Sequence, residues 1–216
     1  MVFKGNIVRE QKDGFVVFVP SRDYNPGRNK RQVLVEVEDG RCITSAQRRK
    51  IFVLLTFISE WSGYTPLEVM KELMKCLFQG TGYGLKAELF SLSVCSLETA
   101  RLFITFLIDF IVANGIKTDE PLWELTEDIP RYVWACLMNK RCAVCGRKAE
   151  LHHVDAVGAG RNRKEICHIG MRCLPLCREH HTEIHQAGTK DFCKWYILEP
   201  VRIDEKIAGV YKLKRK

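Results

Sequence analysis

Two short knuckles, Cys142-Ala-Val-Cys145 and Cys177-Arg-Glu-His180, constrain this chain more than any other feature. Each tight turn aims two ligands at one ion, and four such ligands are what a tetrahedral zinc site requires. The 31 residues between the knuckles are more than a simple finger needs, so a further element must sit between them. A single CxxC also fits chance or redox chemistry; the pair beside a histidine cluster points to zinc. Cys167 and Cys173 fall inside the gap and are expected as strand-facing apolar side chains, either one being the alternative to His180 as fourth ligand. The N-terminus has no signal-peptide core, so the chain is expected in a reducing cytoplasm, where ten cysteines do not imply disulfides.

All six histidines lie between positions 152 and 185. Leu151-His152-His153-Val154 sits in a β-like context, where neighbouring side chains point to opposite faces. One ring of the pair can then join a metal while the other turns to a substrate. His181 and His185, at i and i+4, share one helical face and can share a ligand. That division suits phosphodiester hydrolysis, in which a metal stabilises charge on phosphate and a neutral imidazole takes a proton from water.

The pattern Cys142-x2-Cys145, His152-His153, Leu176-Cys177-x2-His180-His181-x3-His185 resembles the HNH, or ββα-metal, nuclease family over about residues 140–188. The resemblance implies His153 as general base and His152, His181 and His185 as ligands of a catalytic divalent metal such as Mg²⁺, Mn²⁺ or Ni²⁺. It implies structural Zn²⁺ on Cys142, Cys145, Cys177 and His180. The chain departs from the family at the central Asn, whose place falls near Arg172, nine residues before His181. An arginine there can brace the loop that carries the base or contact phosphate. Arg161, Arg163 and Lys164, in the run Gly158 to Lys164, form a basic loop able to reach a DNA backbone.

Charge supports a polyanionic partner but does not identify one. The net charge of +8 divides into +5 over residues 1–50, −6 over 51–130 and +9 over 131–216. Residues 1–43 read as β structure: Phe15 to Val19 after Asp13-Gly14, and alternating Val33, Val35 and Val37, separated by a polar loop from Pro20 to Arg31. Helices follow. Thr44 and Gln47 form a capping-box pattern, Thr65-Pro66-Leu67-Glu68 opens a second helix ending at Gly80, and Ser96 caps a third that stops at Asn114-Gly115. The acidic segment 117–130 reads as a linker or domain edge. Trp61, Trp123 and Trp134 are expected as core anchors. No apolar run reaches the length of a bilayer span, so no membrane partner is expected.

The stretch Ile43 to Phe52 and the helix from Thr99 to Asn114 look like parts of the lambdoid phage Orf (NinB) recombination-mediator family. The whole chain is similar to Orf-plus-HNH proteins of phages of Gram-positive bacteria. This resemblance implies a homodimer that binds single-stranded or branched DNA and works beside a host recombinase and single-strand-binding protein, with Arg48, Arg49 and Lys50 on the DNA. The expected fold is α+β: an α/β Orf-like domain over residues 1–130, then a small zinc-stapled ββα-metal domain over 131–216. The dimer is expected to bury Leu102 to Val112. The alternative is a non-catalytic, zinc-stabilised DNA-binding mediator.

Overall fold

A computed structural model describes residues 6–12, 14–18, 42–83, 90–155 and 167–214. The loop from Pro20 to Arg31, the valines at 33, 35 and 37, and the basic loop with Arg161, Arg163 and Lys164 lie outside the described residues. The chain divides after Val37 into two compact units. In the first, β1 (Asn6–Gln11) and β2 (Gly14–Phe18) form an antiparallel hairpin with an irregularity between Ile7 and Arg9.

The second unit begins with three helices, α1 (Ser45–Trp61), α2 (Leu67–Gln79) and α3 (Leu97–Asn114). The capping box forms as the sequence predicts: the Gln47 N–H donates to the Thr44 hydroxyl at 3.1 Å, and the Thr44 N–H donates to Gln47 Oε1 at 3.2 Å. Ser96 caps α3, accepting from the Thr99 N–H at 3.0 Å, and Gly115 ends it at φ +63°. At α2 the expectation slips by one residue. Pro66 is the extended cap and not the first helical residue, while the Thr65 carbonyl accepts from the Ser59 hydroxyl at 2.6 Å.

Helix α3 lies at the centre of this body. Phe103, Ile104, Leu107, Ile108 and Ile111 are fully buried among Ile51, Leu54, Leu55, Ile58, Met74 and Phe78 of α1 and α2. A helix buried on most faces takes its stability from packing, each large apolar side chain contributing about 1.5–3 kcal/mol. The expectation that Leu102 to Val112 forms a dimer surface is overturned, because a single chain already covers that face. Trp61 is likewise no core anchor: it is 53% exposed and meets Phe110 edge-on.

The segment 117–130 is packed, not a free linker. It carries the short helix α4 (Leu122–Leu125), with Leu122 and Leu125 buried, and leads into α5 (Ile129–Met138), capped by the Asp128 carboxylate. Then come β3 (Glu150–His153), β4 (Arg172–Leu176), α6 (Arg178–Ala187), α7 (Thr189–Trp195), β5 (Val201–Arg202) and α8 (Glu205–Tyr211). The three strands form one antiparallel sheet in the order β3-β4-β5. Helix α5 joins the two parts, packing on α3 on one side and on β4 and α8 on the other. At the same junction the Arg141 guanidinium lies where a Cβ on Gly115 would stand. The fold is thus mixed α and β with small sheets. Among the described residues no helix is long and apolar enough to cross a membrane.

Candidate metal centres and active site

The first knuckle is held in a turn by backbone bonds from Cys142 N–H to the Arg147 carbonyl at 2.7 Å and from Gly146 N–H to the Cys142 carbonyl at 2.9 Å. The second opens α6. Cys177 occupies the N-cap position but makes no side-chain cap, because its sulfur turns away toward the first knuckle. Donor atoms of Cys142, Cys145, Cys177 and His180 all lie within 4.8 Å of one another. Cys145 Sγ and Cys177 Sγ are 3.7 Å apart, and Cys142 Sγ is 3.5 Å from His180 Nδ1. A Zn–S bond of about 2.3 Å places tetrahedral sulfur pairs about 3.8 Å apart, so the set fits zinc. Burial pushes the Cys142 thiol up to about 12, a cost that a bound cation would offset. Burial also raises Cys145, but the Arg147 guanidinium, donating from Nε at 3.3 Å, brings its net shift below the ordinary value. Arg147 in turn is ion-paired with Glu179 on the first turn of α6. Cys173 is fully buried in β4 and Cys167 is exposed outside any strand, and neither joins the four.

A second set lies on the other side of α6. His181 and His185 are stacked one turn apart, with ring centroids 5.0 Å apart. His152 reaches them from β3, 4.7 Å from His181 and 5.0 Å from His185 by centroids. One donor nitrogen from each comes within 4.8 Å of the others. Three imidazoles on one side of an ion leave its remaining positions open, as catalytic metal sites require. Burial holds His152 down to about 4, with His181 and His185 adding to the effect, so its ring is neutral and able to ligate at pH 7. Burial also lowers His181.

The strand alternation separates the two neighbours. His152 pairs across the ladder with Leu174 and is 5% exposed; His153 pairs with Cys173 and turns to the opposite face. There its Nε2 lies 2.9 Å from Nδ1 of His168, a residue to which the sequence reading gave no role. The available signal was the histidine count: with five of six assigned, the sixth lay inside the same cluster.

Arg172 lies near the place where the sequence resemblance sets an Asn. Its backbone N–H, Nε and one terminal nitrogen donate to the Asp155 carboxylate at 2.6, 2.9 and 2.7 Å. Asp155 is two residues beyond His153, so Arg172 ties the chain just past that histidine to β4. The Arg172 guanidinium holds the Asp155 carboxyl below its ordinary value. Arg202 lies directly across the ladder from Arg172, and both are exposed. Like charges opposite one another destabilise a sheet, and here the Asp155 carboxylate, paired with Arg172 and within the field of Arg202, offsets that repulsion.

The other expected contacts are placed unevenly. Arg49 is exposed on α1. Arg48 donates to the carbonyls of Leu92 and Ser93 at 3.0 and 3.2 Å, and Lys50 pairs with Glu127 at 3.4 Å. Trp134 is half-buried, with its indole N–H on Asp204 at 3.0 Å and the Arg131 guanidinium 4.4 Å above its ring. Trp123, also half-buried, meets Tyr196 edge-on at 5.9 Å.

The family described as "Putative HNHc nuclease" matches residues 19–214 of the chain. No curated protein and no solved structure matches it. Since the match spans nearly the whole sequence, the chain belongs to that family of HNHc nucleases.

Proposed function

We propose that this HNHc nuclease is a metal-dependent DNA endonuclease, with hydrolysis at the His153 face and DNA held partly by residues 1–130. The observation that carries the reading is the second ligand set. A domain already stapled by Cys142, Cys145, Cys177 and His180 has no structural need for His152, His181 and His185 converging one strand position from His153.

A divalent ion such as Mg²⁺, Mn²⁺ or Ni²⁺, held by His152, His181 and His185, would supply Lewis-acid stabilisation of charge on the phosphate and leaving oxygen. His153 takes a proton from the attacking water; the new O–P bond forms as the P–O bond to the leaving group breaks. Arg172 holds Asp155, two residues beyond His153, and Arg172 with Arg202 presents positive charge to the phosphate backbone. Cys142, Cys145, Cys177 and His180 would hold Zn²⁺, which would tie the start of α6 to the first knuckle. Arg49, and beyond the described residues Arg161, Arg163 and Lys164, add phosphate contacts.

The resemblance to Orf-plus-HNH proteins supports a division of labour along the chain. Residues 1–130 act as an Orf-like recombination module and residues 131–216 as the nuclease. The protein works as a homodimer in the cytoplasm of a phage-infected bacterium, beside recombinase and single-strand-binding protein. Cleavage assays on single-stranded, duplex and branched DNA with each of the three metals test the activity, with His181→Ala as the metal-site control. Metal-dependent cutting lost in His181→Ala supports the reading. DNA binding without cutting under any metal supports a zinc-stabilised, non-catalytic mediator instead.

A further inference from the structure

His168 is one of two buried histidines among the described residues; the other, His152, belongs to the metal set. A buried imidazole is costly unless its nitrogens are bonded. At 7% exposure, His168 places Nδ1 2.9 Å from His153 Nε2, with the ring centroids 4.9 Å apart and the planes tilted by 46°. Its backbone is fixed on both sides: its N–H donates to the Lys214 carbonyl at 3.2 Å, and its carbonyl accepts from the Met171 N–H at 3.2 Å. Gly170, at φ +83°, closes the turn and donates to the Ile203 carbonyl at 2.9 Å. The ring that meets His153 is therefore mounted on a rigid turn between β4 and the C-terminal segment.

Two imidazole nitrogens at this distance share one hydrogen. If Nδ1 of His168 carries it, Nε2 of His153 is the acceptor and a neutral His153 has its own proton on Nδ1, where it cannot receive one. If Nε2 of His153 carries it, the basic lone pair is on Nδ1. Which nitrogen of an imidazole is protonated is set by the bond the other one makes. We propose that His168 is the positioning residue for the base. By accepting from Nε2 it holds His153 in the tautomer whose Nδ1 takes the proton of water, and it supports the imidazolium that results. The role is analogous to that of a carboxylate orienting a catalytic histidine, supplied here by a neutral ring. The inference rests on the reading of His153 as general base.

The test compares two substitutions of similar volume in the full-length, zinc-loaded protein. In His168→Asn, a side-chain oxygen stands near the place of Nδ1 and can accept; in His168→Leu, nothing can. His168→Leu should lower kcat for metal-dependent cleavage of a DNA oligonucleotide by about 10²-fold or more, with KM and zinc content unchanged. His168→Asn should stay within about tenfold of wild type. A packing role predicts the opposite order, since leucine suits a buried site better. Equal activity of the two variants, or activity that follows their thermal stability, overturns the proposal. Ring ¹⁵N shifts of the wild-type protein give a test that needs no variant. Nε2–H on His153 facing an unprotonated Nδ1 on His168 supports the proposal, and the reverse tautomer overturns it. Wild-type cleavage no faster than that of His153→Ala removes the base itself, and the proposal with it. That failure is distinct from a wild type that cleaves with both His168 variants equally active.

Discussion

The Tyr132 hydroxyl donates to the Ala143 carbonyl at 2.8 Å, a buried bond from α5 into the first Cys knuckle. Tyr132 is 3% exposed, and burial pushes its hydroxyl well above the ordinary range, so it remains a donor at any working pH. Through this bond the helix that packs on α3 also shapes the turn carrying Cys142 and Cys145. Tyr132→Phe strands the buried carbonyl and should cost about 1–3 kcal/mol, read from denaturant unfolding. A fragment cut at Tyr132 loses the Asp128 cap and the first turn of α5. It should be less stable than one that begins before Pro121, although both retain zinc. Equal unfolding midpoints for the two fragments would show that α5 contributes nothing to the knuckle.

The four-ligand site should hold one zinc per chain through purification. Cys145→Ser and Cys177→Ser should each lose it and unfold the C-terminal part, because metal binding in so small a domain is largely folding free energy. Elemental analysis together with circular dichroism checks both outcomes. Folded, zinc-free protein would contradict the assignment.

The brace between Arg172 and Asp155 should matter to turnover more than to metal content. Asp155→Asn should lower kcat by about tenfold and leave zinc unchanged, since Arg172 loses the charged partner that holds the chain just past His153. The depressed Asp155 value means the ion pair is intact above pH 3.8 and is lost only as pH falls through that lower value. Any decline in rate between pH 7 and pH 5 must therefore come from another group. A rate for Asp155→Asn equal to wild type across this range would remove the brace from the account.

Arg49 gives the clean test of DNA binding by the helical body. Arg48 and Lys50 already bond to Leu92, Ser93 and Glu127, so reversing their charge would disturb packing as well as charge. Arg49→Glu should weaken single-strand binding and reduce the slope of log affinity against log salt by about 0.7. Fluorescence anisotropy at several salt concentrations measures this. An unchanged slope would leave α1 without a phosphate contact.

Local chemistry made much of this architecture legible. The Thr44–Gln47 box, the Ser96 cap and Gly115 announced their helix ends, because capping is decided within four residues. The knuckles and the His181–His185 pair could be read from spacing, since each aims its donors without help from distant chain, whereas the choice of His152 over His153 as their companion came from the family resemblance. Long-range packing was not legible in the same way. Nothing near α3 says whether its apolar faces meet α1 and α2 or a second chain, and the prolines of 117–130 conceal the burial of Leu122 and Leu125. His168 was hidden for a similar reason: its partner His153 is 15 residues away and meets it only once the chain has folded back ahead of β4.

If His153 is the base of a metal-dependent nuclease, single-turnover cleavage must differ between wild type and His153→Ala. With metal saturating, the variant should lose about 10²–10⁴-fold in rate, with zinc content and DNA affinity unchanged. Cleavage by His153→Ala at the wild-type rate would contradict that role.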